Sequence, residues 1–241
     1  LITSFYNSEF EVKMKGIGNP VTEADIAADK KIKSILTTNF PDYGWLSEET
    51  QDTPERLKKK RVWVVDPIDG TKEFVDGIPN FVVSIGLVEN GIPILGVIHN
   101  PINKDTYSAI LNHGFRYNGK LLTISKKNTL SECSILNSRS ETNDGLWDSY
   151  NSSFKELIPI GSIALKLAMV ASNQADMVAS LKPKNEWDIC AGHCLINEAN
   201  GNLLTTNSKK ITYNNTKTLI KPGLIAGNES LIKSFLSLKL K

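Results

Sequence analysis

The stretch WVVDPIDGTKEF, Trp63 to Phe74, runs three apolar residues straight into two carboxylates held apart by a proline and an isoleucine. The run RVWVV carries three valines and reads as a buried strand. A neutral turn is the simplest end for such a strand, so two acids there point to a positive charge seated between them. Pro67 fixes its own φ and biases Asp66 towards an extended backbone, which keeps Asp66 on the strand line while Asp69 swings round the turn. Gly70 permits a left-handed backbone, and Thr71 can open a helix. Two carboxylates then stand beside the free N–H groups of a helix start; carboxylates bind hard cations and helix starts bind phosphate. The same residues also suit an ordinary turn, since Asp-Pro and Asp-Gly are common turn dipeptides and Asp69 could cap a helix. A calcium loop of the EF-hand kind needs acids at every second position and a distant Glu, and this stretch has neither.

Three further acidic spots bear on the choice. Glu48 and Glu49 end the preceding strand, next to Asp66 if the two strands pair; an adjacent Glu pair is otherwise a solvated surface feature. Asp25 sits in TEAD and Asp188 follows Trp187 at the start of an apolar helix, where capping is the plain explanation. What capping leaves unexplained is the shared pattern: each spot lies at a strand end or a helix start, where the active sites of layered α/β proteins collect.

Along the chain, Leu1, Ile2, Phe5 and Tyr6 fall at helical spacing, so residues 1–16 read as the tail of a helix. GIGNPVTEAD gives a Gly/Pro loop with Thr22 as N-cap and Asp25 three residues on, and the helical stripe continues to about Phe40. DYGWLSEET is a short strand. FVVSIGLV, IPILGVIH and TYSAI, separated by turn residues, form an antiparallel meander, and Asn118-Gly119 marks a further hairpin. From about residue 125 strands alternate with helices: CSILNS, SIALKLAMVAS, ADMVAS, WDICAGHCLINEANG closed by Gly201, then GLIAG and ESLIKSFLSL. The expectation is two subdomains with a cleft between them: an α+β half over 1–125 that carries the metal site, and an α/β half over 126–241 that completes it.

With 40% apolar and 22% charged residues, the 241-residue chain is globular rather than disordered. A formal charge of +2 gives no case for a nucleic-acid polymer or a membrane surface, and no apolar run approaches the roughly 20 residues that span a bilayer. Three cysteines are too few and too odd in number for a disulfide framework, so a cytoplasmic setting is expected. No secretory signal is visible, and since the chain opens on Leu1 the question of a preceding piece stays open. Cys190, His193 and Cys194 share one helix but leave zinc short of a fourth ligand, and read as packing residues. Lys58-Lys59-Lys60-Arg61 reads as a solvated loop, and no Gly-x-Ser-x-Gly nucleophile stretch exists.

DPIDGT preceded by SEE, EWDICAG downstream, NPVTEAD near the start and GSIALK in the second half together resemble the inositol monophosphatase superfamily of magnesium-dependent, lithium-sensitive phosphatases. The motifs fall in the family's order over nearly the whole chain. The resemblance implies a layered αβαβα sandwich, α+β in its N-terminal half and α/β in its C-terminal half. It implies two or three Mg²⁺, one held by Glu48, Asp66 and the carbonyl of Ile68, another by Asp66, Asp69 and Asp188. Asp25 and Thr71 would orient and activate the attacking water, with Glu48 supporting a further water as a third catalytic group. The amides of Gly70, Thr71 and Lys72 would cradle the phosphate, and Gly161, Ser162 and Lys166 of the family's phosphate-side loop would also bind the substrate. An all-oxygen ligand set suits Mg²⁺ and argues against zinc.

Within the superfamily the flanks resemble the 3′(2′),5′-bisphosphate nucleotidase branch, on DPIDGTKEF, SEET, Gly161-Ser162 with Lys166, and NEWD. Inositol phosphatases usually place a glutamate seven residues before the Trp-Asp aspartate to bind ring hydroxyls; here that position is Leu181. Lys72 and Lys166 could instead offset a second phosphate. The expected substrate is therefore adenosine 3′,5′-bisphosphate, with an inositol or other sugar phosphate as the alternative and a metal-binding regulatory protein as the non-enzymatic one. The partner is a small phosphate ester, with a homodimer open.

Overall fold

The computed structural model describes residues 1–6, 8, 10–16 and 19–238. The expected helical tail is shorter than its spacing suggested: α1 covers Ile2–Tyr6 only, and β1 (Val12–Gly16) pairs antiparallel with β2 (Asn19–Thr22). Every residue of β1 is exposed, so this stretch has no apolar stripe to bury as a helix. Of the expected Gly/Pro loop, Ile17 and Gly18 lie outside the described residues. Helix α2 (Glu23–Asn39) opens on the expected capping box: the Thr22 side chain accepts from the Asp25 N–H and the Asp25 carboxylate accepts from the Thr22 N–H.

β3 (Gly44–Ser47) pairs parallel with β4 (Arg61–Asp69), so the Glu48 and Asp66 strands are neighbours. β4 runs four residues past the apolar run, through the acids themselves. Asp66 faces Ser84 and Asp69 faces Val82, so two residues of β4, Pro67 and Ile68, stand opposite Val83 alone. This is a bulge, one of the few sheet positions that tolerate a proline. The turn starts at Gly70, whose φ of 104° caps the short helix α3 (Thr71–Val75). Asp69 is thus aimed by a bulge and not by a turn, which corrects the reading from Pro67 alone.

β5 (Val82–Glu89), β6 (Ile92–Asn100) and β7 (Asp105–Ile110) make the expected meander, and β8 (Phe115–Tyr117) and β9 (Lys120–Leu122) the expected hairpin, giving one seven-stranded sheet in the order β3-β4-β5-β6-β7-β8-β9. The second sheet begins with β10 (Ser134–Ser138), followed by α4 (Arg139–Asn143), β11 (Glu156–Ile160), α5 (Ile163–Ala171) and β12 (Met177–Ser180). A two-residue strand β13 (Lys184–Asn185) leads into α6 (Glu186–Glu198); β14 (Asn202–Thr205), β15 (Leu219–Ile220), β16 (Leu224–Gly227) and α7 (Glu229–Leu236) complete the chain. Its order is β11-β10-β12-β16-β14, parallel among the first three strands and antiparallel among the last three. Helix α6 closes through Asn200 (φ 66°) rather than Gly201, whose N–H donates to the Ile196 carbonyl at 2.8 Å.

Strand alternation sets the layers. In β4, Trp63 and Val65 pack with Ile32 and Leu36 of α2, while Val62 and Val64 join Ile189, Cys190 and Ala191 of α6. In the second sheet Leu136, Val178, Leu224 and Ala226 face α5 and α6, and Ile135, Met177 and Ile225 face Leu231, Ile232 and Phe235 of α7. The result is helix, sheet, helix pair, sheet, helix: the layered αβαβα sandwich. Gly86 and Gly96 are registered partners under α6, and a Cβ there would stand 2.6 Å from the Cys190 sulfur and 2.4 Å from the Ala191 carbonyl oxygen. That close seat fixes the first turn of α6, which carries Asp188, beside the end of β4. The three cysteines are free and buried, and His193 Nδ1 meets the Tyr213 hydroxyl at 2.9 Å, as core residues do. Among the described residues no helix is long and apolar enough to cross a membrane.

Candidate active site

A cleft of about 730 Å³ opens where β4 ends and the first turns of α3, α5 and α6 converge. Carboxylate oxygens of Glu48, Asp66 and Asp188 lie within 4.8 Å of one another, a gap that suits a cation. Asp66 is 2% exposed, and its Oδ1 accepts the Ile68 N–H at 3.1 Å. Burial, then the charges of Glu48, Asp69 and Asp188, push its carboxyl well above the usual range. Burial likewise lifts Asp188 to about 8, with Asp69 and Glu48 adding to it. Its Oδ2 takes the Asn185 N–H at 2.8 Å, so Asp188 is both the expected helix cap and a member of the cluster.

Asp69 lines the same cleft but stands outside that trio. Its Oδ2 accepts from Ser162 Oγ at 2.6 Å and from the Ala164 N–H at 2.5 Å, which ties β4 to the start of α5. Burial raises it to about 6, against the pull of those two donors and of Lys166. Gly161 lies so close beneath Glu73 that a Cβ would fall 1.9 Å from its carboxyl carbon. Lys166 is 3% exposed; its Nζ donates to the Ile160 carbonyl at 2.9 Å, and burial lowers its pKa to about 8.

Asp25 is 1% exposed, and its two oxygens have different partners. Oδ2 accepts the Thr22 N–H at 2.8 Å and the Thr22 hydroxyl at 2.5 Å. Oδ1 is 3.0 Å from Thr71 Oγ1, which also lies 3.2 Å from the Ile68 carbonyl. The expected Asp25–Thr71 pair is therefore in contact, across α2 and α3. Burial raises the Asp25 pKa, more than its hydrogen bonds lower it.

Four participants escaped the sequence reading. Lys15 of β1 sets its ammonium 2.7 Å from both Glu48 and Glu49, and although burial opposes its charge these two acids hold its pKa up. Arg139 of α4 bridges to Asp76 at 2.8 Å and Glu73 at 3.2 Å across the cleft. Lys184 lines the cleft beside Asp188 with no carboxylate partner among the described residues. Glu141 accepts from Ser180 Oγ, Trp147 Nε1 and the N–H groups of Leu181 and Lys182; burial raises its pKa, and these donors more than offset it. With that segment so held, Leu181 packs against the core around Met177 and Ile225 and does not line the cleft.

Solved structures of this fold include the extragenic suppressor protein suhB from Bartonella henselae, 27% identical with a TM-score of 0.86 over 98% of this chain and 91% of that one. An IMPase from Thermotoga maritima is 30% identical, with a TM-score of 0.85 over 98% and 89%. The class that this fold and acidic cleft define is a phosphatase. The chain belongs to the inositol monophosphatase family, whose model matches residues 1–238. Curated relatives include the 3′(2′),5′-bisphosphate nucleotidases CysQ of Haemophilus influenzae, 32% identical over 95% of this chain and 88% of its own length, and of Salmonella typhimurium, 35% over 88% and 87%. A fructose-1,6-bisphosphatase/inositol-1-monophosphatase of Thermotoga maritima is 32% identical over 88% and 82%.

Proposed function

We propose that this phosphatase removes the 3′-phosphate of adenosine 3′,5′-bisphosphate, using Mg²⁺ held by Glu48, Asp66 and Asp188, with Asp69 and the Ile68 carbonyl completing a set for two or three ions. The donors fit the ion: they are all oxygens, and three of the carboxylates converge within 4.8 Å. Burial first, and the charges of the neighbouring acids second, raise the pKa values of Asp66 and Asp188, and a divalent cation would relieve that repulsion. A divalent cation held there would offset the charge of the phosphoryl group and would make a water more acidic.

The chain's own residues do the rest. Thr71 Oγ1 takes a proton from the attacking water as it passes its own to Asp25 Oδ1. Thr22 fixes the other oxygen of Asp25, so Oδ1 is held facing Thr71. Glu48 supports a further water. The amides of Gly70, Thr71 and Lys72, at the start of α3, receive the phosphoryl oxygens.

The observation that carries the choice of substrate is a buried lysine, Lys166, in the wall of the cleft without a carboxylate bonded to it. With Lys72 and Lys184 it gives a second phosphate a cationic wall, and relatives named as bisphosphate nucleotidases support the same reading. The reading as an inositol or other sugar-phosphate phosphatase rests on relatives of that name. Against it, Leu181 is turned into the core. Charge-assisted contacts to the second phosphate should make kcat/KM for adenosine 3′,5′-bisphosphate at least about tenfold higher than for inositol 1-phosphate. Lys166→Ala should narrow that gap by weakening the bisphosphate more. Equal or better turnover of inositol 1-phosphate by the unaltered protein would favour the sugar-phosphate reading.

The same acids set a pH dependence. Asp69 at about 6 and Asp188 at about 8 stand above the ordinary 3.8, so the metal-free folded chain holds more protons than the unfolded one across that range. Its stability therefore falls as pH rises through these values. His193, which burial lowers from 6.5 to about 4, acts in the opposite sense below its ordinary value. The gain in melting temperature on adding Mg²⁺ isolates the acids, and it should be larger near pH 8 than near pH 5. A gain that is absent, or larger at the acid end, would contradict the assignment of the cluster to Mg²⁺.

A further inference from the structure

Asp29 lies one turn beyond Asp25 on the same face of α2. It is 5% exposed, and no lysine or arginine pairs with it among the described residues. An acid buried without a cation is costly unless its oxygens are well bonded. Both are. Ser47 Oγ donates to Oδ1 at 2.5 Å and Thr50 Oγ1 to Oδ2 at 2.6 Å, and Trp45 Nε1 in turn donates to Thr50 Oγ1 at 3.3 Å. Ser47 and Thr50 are the residues immediately before and after Glu48-Glu49. The turn that carries these two acids is thus closed at both ends on one carboxylate, while the Glu48 N–H holds the Val65 carbonyl of β4 at 3.3 Å.

We propose that Asp29 is a positioning residue for the cation site. By holding Ser47 and Thr50 it fixes the Glu48 carboxylate against Asp66 and Asp188, and so sets the affinity for the cation without touching it. This rests on the reading of Glu48, Asp66 and Asp188 as cation ligands. One rigid helix then carries both the proton acceptor, Asp25, and the clamp on the ligand turn, so α2 keeps the two parts of the site in register. Partners that orient metal ligands through hydrogen bonds have effects of this kind.

The test is Mn²⁺ binding to the metal-stripped full chain, followed by electron paramagnetic resonance without substrate and alongside melting temperatures. Asp29→Ala and the pair Ser47→Ala with Thr50→Val should each weaken Mn²⁺ by about tenfold to a hundredfold. All three changes together should weaken it no further, because they break the same two bonds. Asp29→Asn keeps an acceptor for one hydroxyl and offers its amide N–H₂ to the other, so it should bind Mn²⁺ nearly as the unaltered chain does. Loss in Asp29→Asn equal to that in Asp29→Ala would mean that the charge acts through space, and would overturn the clamp. If Asp29→Ala fails to fold, the Ser47/Thr50 pair carries the test, and unaltered affinity there overturns the proposal. Glu48→Gln separates the two levels. If it loses Mn²⁺ while Asp29→Ala does not, only the clamp fails; if it binds as the unaltered chain does, the ligand reading fails and the clamp with it.

Discussion

Asp66→Asn should lower Mg²⁺-dependent phosphate release by about a thousandfold or more, roughly 4 kcal/mol in the barrier, and still give a metal-free protein that melts at a higher temperature than the unaltered one near pH 8. The two effects have one cause. Burial already raises the pKa of Asp66, and the charges of Glu48, Asp69 and Asp188 add to it. Removing one charge relieves the folded chain and deprives the cation of the ligand that both proposed ion positions share. The loss should exceed that of Glu48→Gln or Asp69→Asn, since each of those touches one position. The amide keeps an oxygen for the Ile68 N–H, so the bulge at Pro67 is retained. Near-normal turnover by Asp66→Asn would show that the shared-ligand assignment is wrong. A lower melting temperature without metal would show that Asp66 supports the fold and is not strained for function.

Thr71→Ala should reduce kcat by about a hundredfold to ten-thousandfold and leave Mg²⁺ affinity unaltered, because the hydroxyl relays a proton and holds no cation. The geometry is a chain of three groups: Thr22 fixes one oxygen of Asp25, and the other faces Thr71 Oγ1 at 3.0 Å. Thr71→Ser restores the hydroxyl at the same place and should keep much of the rate. Asp25→Asn should resemble Thr71→Ala in kcat, since an amide cannot take the proton. Calorimetry in which Thr71→Ala abolishes Mg²⁺ binding would make Thr71 a support for the Ile68 carbonyl and not a relay.

What could be read from the sequence was what is local or strictly periodic. The Thr22–Asp25 capping box needs only four consecutive residues, and the valines of β4 and the apolar stripe of α6 carry their own spacing. The αβαβα layers follow once alternate residues of β4 are assigned to opposite faces. Features that depend on a distant partner were hidden. Pro67 looked like the end of a strand because only the pairing of Asp69 with Val82 shows that β4 continues through a bulge. Val12–Gly16 looked helical because its pairing with β2 buries nothing that a pattern could reveal. Lys15 meets Glu48, and Arg139 meets Asp76, across separations on which no local rule bears. The family resemblance singles out Leu181, but the four donors gathered by Glu141 hold that segment while Lys184 lines the cleft. Asp29 sits where its neighbour Asp25 explained the helix start well enough, and its hydroxyl partners lie 18 and 21 residues away.

The proposed mechanism requires that the buried carboxylates work through a cation. The most direct measurement is phosphate release from adenosine 3′,5′-bisphosphate by chelator-stripped protein as Mg²⁺ is added back, with Asp66→Asn beside it. Turnover by the unaltered chain should be absent after stripping and should return saturably with Mg²⁺, while Asp66→Asn stays flat over the same range. Full turnover after exhaustive stripping, or the same Mg²⁺ response from both proteins, would contradict it.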